Sequence, residues 1–227
     1  MDKNNGKDIY DDEIDFSYIA LISKKLRVGI IGGGKAGEIK ARHFVNSKCY
    51  VEILSRTFDN NIIKLAECEP ERLKLITDRF NFKFLEDKHL IIIALDDEEL
   101  RSKIKKYCDD NYKLYIDSTC FKDGMGAVPI ERNTKNITFA LNTKQGNPKG
   151  TILLSNKVKN FLEEYDEFIE FTGRIRDKAK KVPQYKKDIL EFIGNEDFKD
   201  SFDKGESESA LRTKFSKEIA EYLLDFK

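Results

Sequence analysis

Between residues 26 and 118 the chain alternates short apolar runs with amphipathic stretches. The apolar run at 26–31 ends at three consecutive glycines, which is typical of a buried strand entering a tight turn. A helical pattern over 35–46 and a second strand at 50–54 complete a β-α-β unit. Residues 90–95 are apolar throughout, which indicates a strand covered on both faces of a parallel sheet.

The alternation continues beyond residue 95. Acidic residues at 96–99 provide an N-cap and first turn for a helix that reaches about residue 109, and 113–116 is the next strand. Alternating strands and helices predict a parallel sheet with right-handed crossovers. The predicted fold class is therefore α/β with a Rossmann-like sheet.

After residue 117 the pattern changes and then becomes helical. One more strand candidate lies at 137–141. Apolar residues at three- and four-residue steps over 151–181 predict one long helix, which Pro183 ends. Its apolar stripe needs a partner surface, which is either the later helices of the same chain or a second copy across a two-fold axis.

The last part of the chain predicts two more helices. The first is short and ends at Gly194. The polar run at 195–209 is predicted to be a loop, and 211–226 is predicted to be a final amphipathic helix.

Composition excludes several classes of protein. Lys plus Arg and Asp plus Glu both number 41, and this zero net charge argues against a protein that binds nucleic acid through its phosphates. No apolar run approaches the roughly 18 residues of a membrane span, and the acidic, polar N-terminus does not resemble a signal peptide. The four scattered cysteines and two histidines predict reduced thiols in the cytoplasm and no metal site.

The glycines after the first strand match a nucleotide-binding pattern. Gly32, Gly34 and Gly37 occupy the glycine positions of G-x-G-x-x-G, between a strand and a helix. Gly32 permits the sharp turn, Gly34 lets backbone amides approach a diphosphate, and Gly37 lets the helix lie close to the strand. Because the helix N-terminus favours phosphate, the motif predicts a bound dinucleotide. The alternative is a glycine turn that binds nothing.

The end of the second strand bears on the choice of dinucleotide. An NAD-preferring site carries Asp or Glu about 20 residues after the glycines, where it binds the ribose 2′-hydroxyl. This chain has Ser55, Arg56 and Thr57 there. No carboxylate would repel a 2′-phosphate and Arg56 could bind one, so NADP should be at least tolerated. The alternative is that Arg56 is an ordinary surface residue.

Residues 28–37, followed by Lys40-Ala41-Arg42, resemble the opening of precorrin-2 dehydrogenases, the N-terminal module of siroheme synthases. Residues 92–97 are similar to that family's strand ending in A-T-D-D, and Asn147-Pro148 stands where the family carries S-P. The resemblance spans about residues 17–200.

The resemblance implies an enzyme that uses NAD or NADP to take a hydride from precorrin-2, giving sirohydrochlorin for siroheme or cobalamin biosynthesis. Some members also act as chelatases that insert Fe²⁺ or Co²⁺ into the product. Members are homodimers in which the region after the Rossmann domain interlocks two chains. The implied organisation is an NAD(P)-binding Rossmann domain, a dimerisation and substrate-cleft segment, and a helical C-terminal domain, at 1–116, 117–150 and 151–227.

The resemblance also assigns residues to the cofactor. Lys35 and Ala36 would touch it beside the glycines. Arg56 and Thr57 would line the adenosine-ribose side, and Leu95 with Asp96 would approach the nicotinamide end. The complete predicted set is Gly32, Gly33, Gly34, Lys35, Ala36, Gly37, Ser55, Arg56, Thr57, Leu95 and Asp96.

The predicted substrate site departs from the family in two places. The family carries a carboxylate soon after its fifth strand, and alignment on Lys122 without a gap puts Thr119 there. Asp117 lies two residues earlier, at a strand end, and is the predicted catalytic residue, with a plain turn role as the alternative. A second family pattern, S-S-G-G-x-S-P, corresponds to residues 142–148. This chain keeps a hydroxyl there at Thr143 but lacks the glycine pair. The predicted substrate residues are Thr119, Lys122, Asn142 and Thr143.

The sequence is therefore consistent with three alternative functions. The first is precorrin-2 dehydrogenase, and the second is a chelatase without redox activity in which the glycine loop is a relic. The intact glycine motif favours the first over the second. The third is a non-catalytic dinucleotide-binding protein, which the altered residues at 119 and 142–145 keep open.

Overall fold

The structure is a computed structural model that describes residues 15–144 and 146–226. Within it the chain forms two compact units, residues 15–128 and residues 129–226. Each unit has a core of its own. The division into functional parts at 1–116, 117–150 and 151–227 stays a prediction.

The first unit is built on a parallel sheet of five strands in the order β3-β2-β1-β4-β5. This order confirms the predicted Rossmann-like α/β fold, in which β1 is central and later strands are added first on one side of it and then on the other. The strands are β1 (Arg27–Ile31), β2 (Tyr50–Ser55), β3 (Leu73–Thr77), β4 (Leu90–Ile93) and β5 (Leu114–Asp117). The helices are α1 (Lys35–Asn46), α2 (Asn60–Cys68) and α3 (Glu98–Asp110), with short 3-10 helices at Ser23–Lys25, Phe82–Leu85 and Phe121–Asp123.

Both faces of this sheet are covered. Ile30 and Ile92 point into one apolar cluster, and Ile31 and Ile93 point into another on the opposite face. Every residue of β4 is buried, as its continuous apolar run predicts. The strand β3 was not predicted, because it is an edge strand with mostly half-exposed or exposed side chains and lacks such a run.

The second unit begins with a hairpin and continues as helices. The two strands β6 (Ile130–Asn133) and β7 (Thr138–Leu141) are antiparallel. Six helices follow: α4 (Pro148–Glu163), α5 (Asp166–Ala179), α6 (Lys186–Ile193), α7 (Glu196–Asp203), α8 (Ser207–Lys214) and α9 (Lys217–Leu224). Their shared core is rich in aromatic rings, and its fully or almost fully buried members include Phe168, Ile175, Ile189, Phe198, Leu211 and Leu223.

The prediction of one helix over 151–181 is wrong, because this segment forms the two helices α4 and α5. The break falls at Glu164 and Tyr165, whose amides donate to carbonyl oxygens three residues back. Four carboxylates lie within residues 163–167. They would repel one another inside a continuous helix, whereas Asp166 and Glu167 are favourable in the first turn of a new one.

The predictions for residues 195–226 are also partly wrong. The segment 195–209 is not a loop, because it contains α7 and the start of α8. The side chain of Asn195 caps α7 by accepting a hydrogen bond from the amide of Phe198 at 2.8 Å, and Phe198 is buried. The final helix is likewise divided, because Ser216 caps a new helix, α9. Side-chain caps, rather than the apolar pattern, set these boundaries.

The carboxylate of Asp166 joins α5 to the hairpin. It accepts hydrogen bonds from the hydroxyl of Thr134 at 2.7 Å and from the amides of Asn136 and Lys135 at 2.8 and 3.0 Å. Burial acts to raise the pKa of Asp166, but these hydrogen bonds outweigh it and lower the pKa overall. The turn between β6 and β7 is therefore held by a charged group on the first turn of α5.

Among the residues described here, no helix combines the length and the apolar character needed to cross a membrane.

Candidate cofactor site

The glycine loop, residues 32–37, connects β1 to α1. Gly34 is the N-cap residue of α1, and no side chain of the described residues caps this helix end. The first amides of a helix lack partners within the helix, so they are free to bind an anion that approaches the helix N-terminus.

Two glycines of the motif are required by the packing of the loop itself. Gly32 has a φ of +119°, and a Cβ there would lie 2.0 Å from the carbonyl oxygen of Ala94. A Cβ on Gly37 would lie 2.2 Å from the carbonyl oxygen of Gly32. The turn and the close helix contact expected from the motif are therefore both present.

Gly34 differs from its neighbours because the space beside it is open. A Cβ at this position would meet no atom within 4 Å. Its backbone is extended, with φ −88° and ψ −166°, which an alanine can adopt without strain. The fold therefore does not require a glycine here, whereas a phosphate group approaching the helix N-terminus does. The residues present fit the diphosphate of a dinucleotide.

Gly33 links the glycine loop to the segment after β2. A Cβ on Gly33 would lie 2.2 Å from the carbonyl oxygen of Thr57, and the amide of Asp59 donates to the carbonyl oxygen of Gly33 at 2.8 Å. This contact brings Ser55, Arg56 and Thr57 beside the glycine loop. The motif treats the second position as variable, so sequence reasoning missed this role; the three consecutive glycines were the available signal.

The side chains after β2 are the ones predicted to line the adenosine ribose. Arg56 and Thr57 are exposed, and Ser55 is half-buried at the end of the strand. The nearest carboxylate that follows, Asp59, caps α2 by accepting a hydrogen bond from the amide of Asn61 at 2.8 Å. Its charge is therefore directed to the helix end rather than to the place occupied by Arg56.

Lys35 pairs with a carboxylate on its own helix. Glu38 is buried and bonds to the ammonium group of Lys35 and, at 2.9 Å, to the guanidinium group of Arg42. The hydrogen bonds from Lys35 and Arg42 lower the pKa of Glu38. This pairing fixes the first turn of α1 and partly offsets the positive charge of Lys35.

A hydrogen bond connects the segments that follow β4 and β5. Leu95 and Asp96 follow β4, with Leu95 half-buried and Asp96 exposed. The hydroxyl of Thr119, in the loop after β5, donates to the carbonyl oxygen of Leu95 at 3.3 Å. The predicted nicotinamide side and the position where the family carries its carboxylate are therefore in contact.

Asp117 closes β5 and is completely buried. One carboxylate oxygen accepts hydrogen bonds from the amides of Thr119 and Cys120, at 2.9 and 3.1 Å. The other oxygen lies 3.4 Å from the ammonium group of Lys105. Burial acts to raise the pKa of Asp117, but the two amides and Lys105 lower it overall. The catalytic role of Asp117 stays a prediction.

The structure places the predicted residues in two groups. The glycine loop, residues 55–57, residues 95–96 and the predicted residues after β5 all lie at the carboxyl ends of neighbouring strands, where open α/β sheets bind ligands. Asn142 and Thr143 belong to the second unit, where Thr143 accepts a hydrogen bond from the amide of Asn147 at 2.8 Å. Their part in a substrate site stays a prediction.

Across the described ranges, no group of three or more His, Cys, Asp or Glu residues stands close enough to hold a metal ion.

We predict that alanine at Gly34 affects cofactor binding, whereas alanine at the adjacent Gly33 affects stability. Gly34→Ala should fold as the wild type does and weaken binding of NAD⁺ or NADP⁺ at least about tenfold, or about 1.4 kcal/mol, because its methyl group fills the space that the helix amides face. Gly33→Ala should lower the melting temperature, because its methyl group meets the backbone of Thr57. Calorimetric titration and thermal unfolding measure the two effects. Unchanged affinity in Gly34→Ala would contradict the proposed cofactor position.

Known proteins resemble this chain in sequence. Residues 19–124 match a family model described as "Putative NAD(P)-binding". The chain is 25% identical over 190 residues to a "Putative precorrin-2 dehydrogenase" of Methanocaldococcus jannaschii, covering 78% of this chain and 90% of that protein. It is also 25% identical over 158 residues to a "Siroheme synthase" of a Psychrobacter species, covering 68% of this chain but only 32% of that longer protein.

A solved structure shares the fold. The precorrin-2 dehydrogenase SirC superposes with a TM-score of 0.63 and 17% sequence identity, over 87% of this chain and 98% of that one. The resemblance found in the sequence is thus confirmed. The family model supports the predicted class of cofactor, a nicotinamide dinucleotide. The chain has the fold of the precorrin-2 dehydrogenase SirC, and its first unit matches a family model described as "Putative NAD(P)-binding".

Proposed function

We propose that this chain is an oxidoreductase that uses NAD(P)⁺ to oxidise precorrin-2 to sirohydrochlorin in tetrapyrrole biosynthesis. One observation carries the proposal: a helix N-terminus stands open at Gly34, in a fold shared with a precorrin-2 dehydrogenase over most of the chain. The names of the similar proteins point to the same reaction.

Different residues of this chain would bind different parts of the cofactor. Amides of the glycine loop and the first turn of α1 hold the diphosphate, and Arg56 with Thr57 lines the adenosine side. Leu95 and Asp96 border the nicotinamide end. When bound, the nicotinamide supplies the hydride acceptor, so the protein's main task is to align the substrate carbon with it.

The substrate carries several carboxylates, so its site needs cationic and hydrogen-bonding groups. Thr119 and Lys122 are exposed after β5 and can supply a hydroxyl and an ammonium group. The role of Asn142 and Thr143 in substrate binding stays a prediction. The absence of nucleic-acid and membrane partners and a cytoplasmic location stay predictions.

We expect purified protein to convert precorrin-2 to sirohydrochlorin only when NAD⁺ or NADP⁺ is added. The absorption of sirohydrochlorin and the formation of the reduced nicotinamide should rise in equal amounts, because one hydride passes to the cofactor for each product formed. Binding of the dinucleotide without turnover would favour a non-catalytic protein. Insertion of Fe²⁺ or Co²⁺ into sirohydrochlorin without any dinucleotide-dependent oxidation would favour a chelatase.

We further propose that NADP is accepted through Arg56. This side chain is exposed at the end of β2, and the nearest following carboxylate is used to cap α2. A guanidinium group can bind a phosphate through two parallel hydrogen bonds, whereas a ribose hydroxyl offers it no charge.

Arg56→Ala should raise the Kd for NADP⁺ about tenfold and leave the Kd for NAD⁺ close to the wild-type value, because only NADP carries the 2′-phosphate. Lys83→Ala is the matched control, since Lys83 is exposed in a 3-10 helix that precedes β4. Calorimetric titration with both cofactors measures the effect. Equal losses for NAD⁺ and NADP⁺ would show that Arg56 does not select the phosphate.

We also propose that the working form is a homodimer built on the second unit. The hairpin of β6 and β7 has no third strand among the described residues, and none of its residues is fully buried. A two-stranded ribbon of this kind is marginal alone and offers open edges for pairing. Next to it in the chain, α4 exposes Ile152, Leu153, Leu154 and Phe161. A second copy would cover both features.

Sedimentation should therefore give a mass of about twice 26.3 kDa for the wild-type chain. Leu153→Glu should shift the equilibrium toward the single chain, because the carboxylate would have to be buried in the interface. Ile63→Glu, an exposed position on α2 of the first unit, is the control and should leave the mass unchanged. A single-chain mass for the wild type at micromolar concentration would contradict the proposal.

A further inference from the structure

Buried polar atoms without a hydrogen bond collect at one place in the first unit. Within the ranges that the structure describes, these side-chain atoms are Nε of Arg101, Oγ of Ser118 and Oδ2 of Asp117, the last of which forms an ion pair with Lys105 instead. They belong to α3 and to the end of β5. Buried polar groups are normally hydrogen-bonded, so the contacts that Asp117 does make need an explanation.

Asp117 organises the start of the β5 loop, residues 118–124. Its Oδ1 accepts hydrogen bonds from the amides of Thr119 and Cys120, which turns the chain immediately after the strand. These bonds are charge-assisted, because the lowered pKa of Asp117 keeps its carboxylate ionised at neutral pH. The direction in which the loop leaves β5 is therefore set by this side chain.

Lys105 of α3 reaches both ends of the same loop. Its ammonium group lies 3.4 Å from Oδ2 of Asp117 and 3.4 Å from Oδ2 of Asp123. At Gly124 the backbone packs against the end of β5, because a Cβ there would lie only 2.8 Å from the amide nitrogen of Asp117. The loop is thus held at its start, at Asp123 and at its end.

The residues between these anchors are the ones expected to meet the substrate. Thr119 and Lys122 are exposed, and the hydroxyl of Thr119 reaches the carbonyl oxygen of Leu95 after β4. Asp117 itself has no exposed surface. A general base must come within hydrogen-bond reach of the proton it removes, whereas this buried carboxylate faces two amides on one oxygen and the Lys105 ammonium group on the other.

We infer that Asp117 and Lys105 are positioning residues for the proposed oxidation: they hold the β5 loop so that Thr119 stays beside Leu95 after β4 and Lys122 stays exposed, and Asp117 takes no proton from the substrate. The inference rests on the proposed function for its kinetic part only. The order of the loop can be measured without substrate.

The test compares Asp117→Asn and Lys105→Met with the wild type. Lys106→Met is the matched control, because Lys106 is exposed on α3 and pairs with the exposed Asp110. The first readouts are hydrogen exchange at the amides of Thr119 and Cys120 and trypsin cleavage after Lys122. The second is kcat and KM for precorrin-2 as a function of pH, with the Kd for NADP⁺ measured beside them.

Both variants should exchange these amides at least about tenfold faster and be cleaved sooner after Lys122, while binding NADP⁺ with wild-type affinity. Misplacing the loop should lower kcat/KM for precorrin-2 by about 10- to 100-fold in both variants, with an unchanged pH profile. Lys106→Met should match the wild type in every readout. If Asp117→Asn fails to fold, Lys105→Met alone decides the question.

Two results would overturn the inference. One is wild-type exchange and cleavage in both variants. The other is loss of turnover, or of one ionisation in the pH profile, in Asp117→Asn while Lys105→Met remains normal, because that result assigns Asp117 a proton. A wild-type chain that fails to oxidise precorrin-2 would instead remove the proposed function, and the exchange and cleavage data would still decide whether Asp117 and Lys105 order the loop.

Discussion

The first unit depends on how closely the backbone passes itself in the glycine loop. Gly32, Gly33 and Gly37 each bring a carbonyl oxygen to within about 2 Å of where a Cβ would stand. Side chains at these positions would push α1 away from β1 or push the segment after β2 away from the loop. The fold therefore fixes the N-terminus of α1 at the centre of the sheet edge, and it leaves the space beside Gly34 open at that N-terminus.

Charge is distributed around this opening in a consistent way. The carboxylates of Glu38, Asp59 and Asp117 are each engaged, by two cations, by a helix end, and by two amides with Lys105. None of these three is left to repel an incoming phosphate or a substrate carboxylate. In contrast, Arg56 and Lys122 are exposed. The helix N-terminus at Gly34, with Arg56 exposed after β2, therefore favours an anionic ligand.

Sequence reasoning predicted the parts of the fold whose signal is local. The glycine motif between a strand and a helix indicated β1, α1 and β2, and the apolar run before residue 96 indicated β4. The same reasoning missed β3, whose mixed pattern reflects its place at the sheet edge. It also merged helices in the second unit, because the apolar stripe continues through breaks that are made by caps and by a run of carboxylates.

Some features of the site were predictable from the sequence and others were not. The motif identified Gly34 as the position of closest ligand approach, and the structure shows the open space there. The contact of Gly33 with Thr57 was not predictable, because it depends on where the segment after β2 passes. The partners of Asp117 were hidden for a similar reason. Lys105 precedes it by 12 residues, and only the packing of α3 on the sheet brings the two charges together.

The most direct measurement of the central claim is a crystal structure of the chain with bound NADP⁺. We expect the diphosphate at the N-terminus of α1, within hydrogen-bond distance of amides in the glycine loop, with the 2′-phosphate beside Arg56. A cofactor bound elsewhere on the molecule, or a space beside Gly34 that stays empty at saturating NADP⁺, would contradict the claim.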